Sequence, residues 1–229
     1  MTHSGSSDNT TLFHAEREAV CNTCRLLADK GFLAGTGGNV ALRADDQHIC
    51  VTPSATDYYT MTPDDVCVLR LDNTEQVSGQ RKPSVESGLH SLVLKARPDC
   101  IASIHTHQPV ASAYTLLSIP LNVRDAAHQK ILGTQVPCAG YAPSGTSWLA
   151  GKVSKTVKPD VHAYLMRNHG VVCVGTTVDE AIERVSVLEQ ACAEYFRNEL
   201  SKNSSLPPEV VDAVQQTLDA VVDTDPTTS

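Results

Sequence analysis

"CIASIHTHQP", residues 100–109, is the stretch on which the reading of the fold turns. Small and β-branched residues alternate through 100–107 and Gln108-Pro109 stops the run, so a strand is expected here. On a strand, residues two apart share a face, which sets the imidazoles of His105 and His107 side by side and turns Thr106 away. Two imidazoles so placed can chelate a metal ion, and they can equally be hydrogen-bonded core histidines. A catalytic zinc site takes about three protein ligands and keeps one position open. "RNHG", 167–170, offers His169 as the third, at a strand break that Gly170 would make conformationally accessible.

Upstream of that strand, "SVESGLHSLVLKARPD", 84–99, has helical periodicity through Leu89, Leu92 and Val93 and ends before Pro98. Glu86 falls in its first turn, where a carboxylate complements the helix dipole by about 0.3–1 kcal/mol. Ser84 is an ordinary N-cap candidate whose neighbouring N–H groups could hold an anion. Earlier still, 14–31 reads as a helix closed by Gly31, and "HICVTP", "VCVLRL" and "QVSGQ" read as an antiparallel meander with turns at Asp45-Asp46 and Asp72-Asn73. "GTGGNV", 35–40, lies between a helix and a strand, the reverse of the order in dinucleotide folds, and lacks their full glycine spacing. It is either a nest of N–H groups suited to phosphate or a tight turn.

Downstream, "VASAYTLLS" suggests a short helix, "QVPCAGYAPSGT" a loop, and 146–158 a further helix. "AYLMRNHGVVCVG" reads as two buried strands around the His169 break, followed by a long amphipathic helix opened by the Thr177/Glu180 capping-box spacing. The expected organisation is a flexible segment 1–11, one domain over 12–203, and a weak helix with a polar tail over 204–229.

A chain of 229 residues, 41% hydrophobic, suffices for one ordinary globular core. The 26 acidic against 18 basic side chains give a charge of −8 without basic runs, which argues against nucleic acid but not against a small anionic substrate held by a local site. No apolar run approaches the ~18 residues of a membrane span, and the N-terminus lacks a signal-peptide pattern. A soluble, cytoplasmic protein without membrane or nucleic-acid partners is expected. The eight cysteines are scattered among apolar neighbours and read as reduced core thiols. "CNTC", 21–24, lies in a helical pattern and has no second pair to complete a zinc site.

Taken in order, "GTGGNVALR", "TPSATDY", "KPSVES", "HTHQP" and "RNHGVV" resemble the class II aldolase/adducin family, from about residue 12 to 200. The resemblance implies an α/β fold of α+β-like, three-layer form: a central, mainly antiparallel sheet flanked by helices. It also implies a homotetramer with sites between subunits. His105, His107 and His169 match the family's metal ligands, for Zn2+ with Mn2+ or Co2+ as alternatives. Glu86 matches its catalytic acid/base, which partial burial and substrate charge would bring up in pKa. Gly38, Asn39, Ser54 with its neighbour Ala55, and Ser84 match positions that bind the substrate phosphate.

Three departures stand out. Ala55 replaces the usual glycine and Val85 a second serine, which alters the phosphate pocket. "NVRDAAHQK", 122–130, lacks the tyrosine that the aldolase lends to a neighbouring subunit, leaving Arg124 or His128 as candidate substrate contacts. No aromatic residue follows Phe196, and Lys130 falls nearest the place of the epimerase's acid/base aspartate. The expected activity is therefore a zinc-dependent, L-fuculose-1-phosphate aldolase-like lyase acting on a small phosphorylated hydroxyketone. A metal-dependent decarboxylase of a 3-oxo acid or its phosphate, with Arg124 or Lys82 holding the carboxylate, is the alternative. A sugar-phosphate 4-epimerase and a non-catalytic adducin-like module fit less well, the latter because three histidines and Glu86 are intact.

Overall fold

The computed structural model describes residues 12–33, 35, 37–202 and 205–222. At its centre the histidine segment forms β5 (Ala102–Thr106), buried along its whole length. β5 pairs antiparallel with β1 (Asn39–Arg43) on one side, Asn39 opposite His105, and with β10 (Gly170–Gly175) on the other, Val172 opposite His105. Beyond β1 the meander continues through β2 (His48–Val51), β3 (Cys67–Arg70) and β4 (Gln76–Ser78); beyond β10 lie β9 (Ala163–Met166) and β8 (Cys138–Ala139). Every pair in this eight-stranded sheet is antiparallel except β8 with β9. β6 (Leu121–Asn122) and β7 (Gln135–Val136) make a separate two-stranded ladder.

The period of two along the strands divides the core in two. Val40, Leu42, Ile104, Val171 and Cys173 pack with α1 (His14–Asp29), α3 (Pro109–Thr115) and α6 (Val178–Lys202). Ala41, Ile49, Val51, Val172 and Val174 pack with α2 (Ser87–Ala96) and α5 (Ser147–Ser154). This is the expected three-layer arrangement. Because Ile104 points to the α6 layer, Ser103 and His105 must point to the α2 layer, the one that carries Glu86.

Several elements differ from expectation in instructive ways. α2 begins at Ser87 rather than Ser84, with Glu86 as its N-cap. α4 (Ala126–Leu132) forms where no element was expected; Asp125 caps it by accepting from the N–H groups of Ala127 and His128, and a single buried residue, Leu132, leaves no periodicity to read. α7 (Pro208–Val222) is the helix expected within 204–229, and it packs on α6 with Leu218, Val221 and Val222 partly buried against the core. Thr177 Oγ1 accepts from the Glu180 N–H at 3.1 Å, but the Glu180 carboxylate reaches back to Thr176 instead of completing the box on Thr177. Residues 1–11 and 223–229, read as terminal segments, lie outside the described residues.

All eight cysteines are free thiols. Cys21 and Cys24 face the core from α1, and burial pushes the Cys21 thiol up to about 11, so neither is poised as a nucleophile or redox pair. No helix among the described residues is long and apolar enough to cross a membrane.

Candidate active site

Three backbone features converge at the ends of the central strands. β5 carries His105, the residue just past its end is His107, and the turn between β9 and β10 carries His169. One ring nitrogen of each lies within 4.8 Å of the others, and the ring centroids stand 4.6, 4.9 and 5.2 Å apart. The turn owes its shape to Asn168, which takes the left-handed conformation at φ 53°. Gly170 is therefore not the conformational breaker expected from the sequence. Its role is steric, since a Cβ there would sit 2.5 Å from both the Thr106 carbonyl and His107 Cδ2. The missing side chain lets β10 close on the histidine strand.

Glu86, at the N-cap of α2, does not cap that helix with its side chain. Its carboxylate points at the histidines instead, with Oε2 3.2 Å from His105 Nε2 and Oε1 3.3 Å from His169 Nε2. Asn39 Nδ2 donates to Oε2 and Ser144 Oγ to Oε1, each at 2.9 Å. Burial disfavours the charge on Glu86, but His105, then the Asn39 amide and His169, outweigh it and hold the carboxyl well below the usual range. The expected upward shift is thus reversed in the substrate-free protein.

The tautomer of His105 follows from its partner. Nδ1 lies 2.8 Å from the Val171 carbonyl, which can only accept, so Nδ1 carries a proton and Nε2 is the atom turned to the cluster. Nε2 faces a carboxylate oxygen at 3.2 Å, and a cation between the two, a proton or a metal ion, would satisfy both. Nε2 of both His105 and His107 is buried without a hydrogen-bond partner. Burial and the neighbouring rings push His107 down to about 4 and also lower His169, so both are neutral donors at neutral pH. Orphaned imidazole nitrogens around a carboxylate fit a divalent ion of the zinc type.

The positions expected to hold an anion gather beside this cluster. Segments 52–54 and 82–84 run antiparallel, Ser54 N–H donating to the Lys82 carbonyl at 2.8 Å and Ser84 N–H to the Thr52 carbonyl at 3.0 Å. Thr52 is itself bonded to Val40, which brings Ser54, Ala55 and Ser84 to the start of β1 next to Gly38 and Asn39. Ser84 Oγ accepts from the Glu86 N–H at 3.2 Å. A Cβ on Gly38 would meet the His105 carbonyl at 2.7 Å, so this glycine serves close strand contact and a positive φ of 82°. The side chain of Asn39 is already committed, its nitrogen to Glu86 and its oxygen to His90.

Arg124 and His128 are not gathered within the chain. Arg124 lies 3.8 Å from Glu199 and His128 3.7 Å from Glu194, both partners on α6. Lys82 is exposed. Two residues that sequence reading passed over do reach the site: Ser144, in a loop with no motif to mark it, and His90. The latter had a signal, since its i+4 spacing from Glu86 puts both on one face of α2.

Several known proteins are similar to this chain. Over 200 residues the chain is 30% identical to a 5-deoxy-D-ribulose 1-phosphate aldolase of Bacillus thuringiensis, covering 86% of this chain and 92% of the relative. It is 32% identical over 183 residues to a methylthioribulose-1-phosphate dehydratase of Serratia proteamaculans, covering 75% and 89%. The solved structure of an L-fuculose 1-phosphate aldolase superposes with a TM-score of 0.75 at 26% identity, covering 96% of this chain and all of that one. The pattern of one family spans residues 18–196, from α1 through the histidine strands to α6, and by that match the chain belongs to the class II aldolase and adducin N-terminal domain family.

Proposed function

We propose that the chain is a metal-dependent lyase that cleaves the C3–C4 bond of a small ketose 1-phosphate, in the manner of an L-fuculose-phosphate aldolase, with Glu86 moving the proton at C3. The observation that carries this reading is the Glu86 carboxylate set between His105 and His169 at 3.2 and 3.3 Å. His105, His107 and His169 would hold the ion, Zn2+ by the preference of three imidazoles, with Mn2+ or Co2+ as alternatives. Such an ion, when bound, supplies Lewis-acid polarisation of the ketose carbonyl and its neighbouring hydroxyl. Gly38, Ser54, Ala55 and Ser84 would anchor the phosphate and so fix its distance from the reacting carbons. As the C3–C4 bond breaks, C4 leaves as the aldehyde, its hydroxyl proton passing to the ionised Glu86, and the electron pair remains on the three-carbon fragment; Glu86, now in its acid form, would deliver that proton to C3. In the reverse direction the ionised carboxylate, held by Asn39 and Ser144, removes that proton.

Such a mechanism has a half-reaction that needs no aldehyde. The three-carbon product of any ketose 1-phosphate so cleaved is dihydroxyacetone phosphate, and the protein should exchange one of its C3 hydrogens with deuterium in D2O. Glu86→Gln should abolish this exchange while leaving the metal content unchanged. A protein that releases water or carbon dioxide from its substrate and never exchanges dihydroxyacetone phosphate would instead be a dehydratase or decarboxylase on the same scaffold. We further assign a cytoplasmic homotetramer with sites at subunit interfaces. Support comes from the exposed apolar side chains Val85, Tyr141 and Trp148, on the segments that carry Glu86 and Ser144. Arg124 or His128 would then serve the site of a neighbouring copy.

A further inference from the structure

His90 is fully buried one helical turn beyond Glu86, and the proposed reaction gives it no task. Its two ring nitrogens are nevertheless both engaged, Nδ1 at 2.7 Å from Ser103 Oγ and Nε2 at 2.5 Å from Asn39 Oδ1. Asn39 continues the chain by donating Nδ2–H to Glu86 Oε2 at 2.9 Å. The four residues come from α2, β1 and β5, and the strand residues Asn39 and Ser103 lie on the face that packs against α2.

The polarity of this chain can be worked out from its carboxylate end. A carboxylate only accepts, so Asn39 must turn its NH2 to Glu86 and its oxygen to His90. That oxygen only accepts as well, so His90 must carry its proton on Nε2. Burial pushes the ring down to about 3, which keeps it neutral with a single N–H. Nδ1 is then an acceptor, and the Ser103 hydroxyl donates to it. One tautomer and one amide orientation satisfy all three contacts. Without the Nε2–H, the Asn39 amide could turn over and set its oxygen against the Glu86 carboxylate, repelling the group it now holds.

We propose that His90 is a positioning residue for Glu86: its Nε2–H fixes the orientation of the Asn39 amide and so keeps an N–H donor on the carboxylate that moves the substrate proton. This rests on the reading of Glu86 given above. It goes beyond a packing role, because a packing histidine would be replaceable by shape alone, whereas this one acts through a donor at one atom.

The test compares His90→Leu, which removes the donor, with His90→Gln, whose amide nitrogen can reach the place of Nε2. The readouts are metal stoichiometry and deuterium exchange into dihydroxyacetone phosphate, with kcat and KM measured separately. His90→Leu should keep the metal and its KM but lose about tenfold to a hundredfold in kcat, the expectation for a lost hydrogen bond to a charged group. His90→Gln should recover most of that loss. Equal losses in both variants, or an undiminished kcat in His90→Leu, would overturn the role of His90. Undiminished exchange in Glu86→Gln would overturn the reading of Glu86 itself, so the two failures are told apart. A neutron structure of the unaltered protein decides the matter even if His90→Leu does not fold. Deuterium on His90 Nε2, with the Asn39 amide nitrogen toward Glu86, is expected; deuterium on Nδ1 with Asn39 reversed would refute the proposal.

Discussion

Ala55 shows a residue held in a backbone shape that suits another type. The resemblance leads one to expect glycine here, and the φ of Ala55 is 50°, in the left-handed region that an L side chain enters at a cost of about 1–2 kcal/mol. The exposed loop between Ser54 and Thr56 thus has a shape that glycine would take freely. Ala55→Gly should therefore relieve the strain, less the ~0.4–1 kcal/mol of extra chain freedom that glycine gives the unfolded state. The expected net gain is about 1 kcal/mol, read as a higher urea midpoint at unchanged slope. A lower midpoint would show that the Ala55 methyl makes contacts worth more than its strain. The same contrast between residue type and place explains the histidines. His105 and His107 were legible because a two-residue period on a strand has only one geometric meaning. Gly170 was misread, because glycine in a sequence does not reveal whether freedom or missing volume is wanted.

At the scale of elements, the strand that carries two of the histidines is pinned from the α6 layer. Gln108 is buried, hydrogen-bonds Thr106 through its oxygen and donates to the Val185 carbonyl at 2.8 Å. Glu189, also on α6, accepts from the N–H groups of Val110 and Ala111 at 2.7 and 2.8 Å, satisfying the free start of α3 directly after His107. Glu189→Gln keeps the shape but turns an NH2 toward one of two N–H donors, and should cost about 1–3 kcal/mol. Burial raises the pKa of Glu189, so its contribution is fully present below the ordinary glutamate range near ~4.3 and declines as pH rises through the folded value. The stability gap between the parent and Glu189→Gln should thus be wider at pH 4 than at pH 7, measured by denaturant unfolding. A gap that grows with pH would contradict this assignment. Such long-range pins were invisible in the sequence, as were Ser144 and the short helix α4, because each depends on which elements meet rather than on any local period. Elements whose own run of apolar or β-branched residues carries the signal, such as α1, α2, β5, β9, β10 and α6, were legible for the opposite reason.

At the scale of the molecule, the site acts as a clamp whose parts are far apart in the chain and meet only when it is folded. His105 and His107 come from the end of one central strand, His169 from the turn between the two strands beside it, and Glu86 from a helix in the overlying layer. A metal ion that needs all three imidazoles binds the native state and not the unfolded one, so it should stabilise the fold by about 2.7 kcal/mol at a free concentration one hundred times Kd. For a chain of this length that corresponds to a rise of roughly 5–10 °C in Tm. The choice of ion matters, because the unfolded chain exposes eight cysteines and nine histidines that compete for zinc and diminish its apparent effect. Mn2+, which has little affinity for thiolate, should give the cleaner shift even though it binds imidazole more weakly. His105→Ala and His169→Ala should each remove most of the rise with either ion, and a chelator should reverse it in the parent protein. An unchanged shift in both variants would place the bound metal elsewhere on the chain. A fall in Tm with zinc alone that survives both substitutions would trace it to the thiols of the unfolded chain.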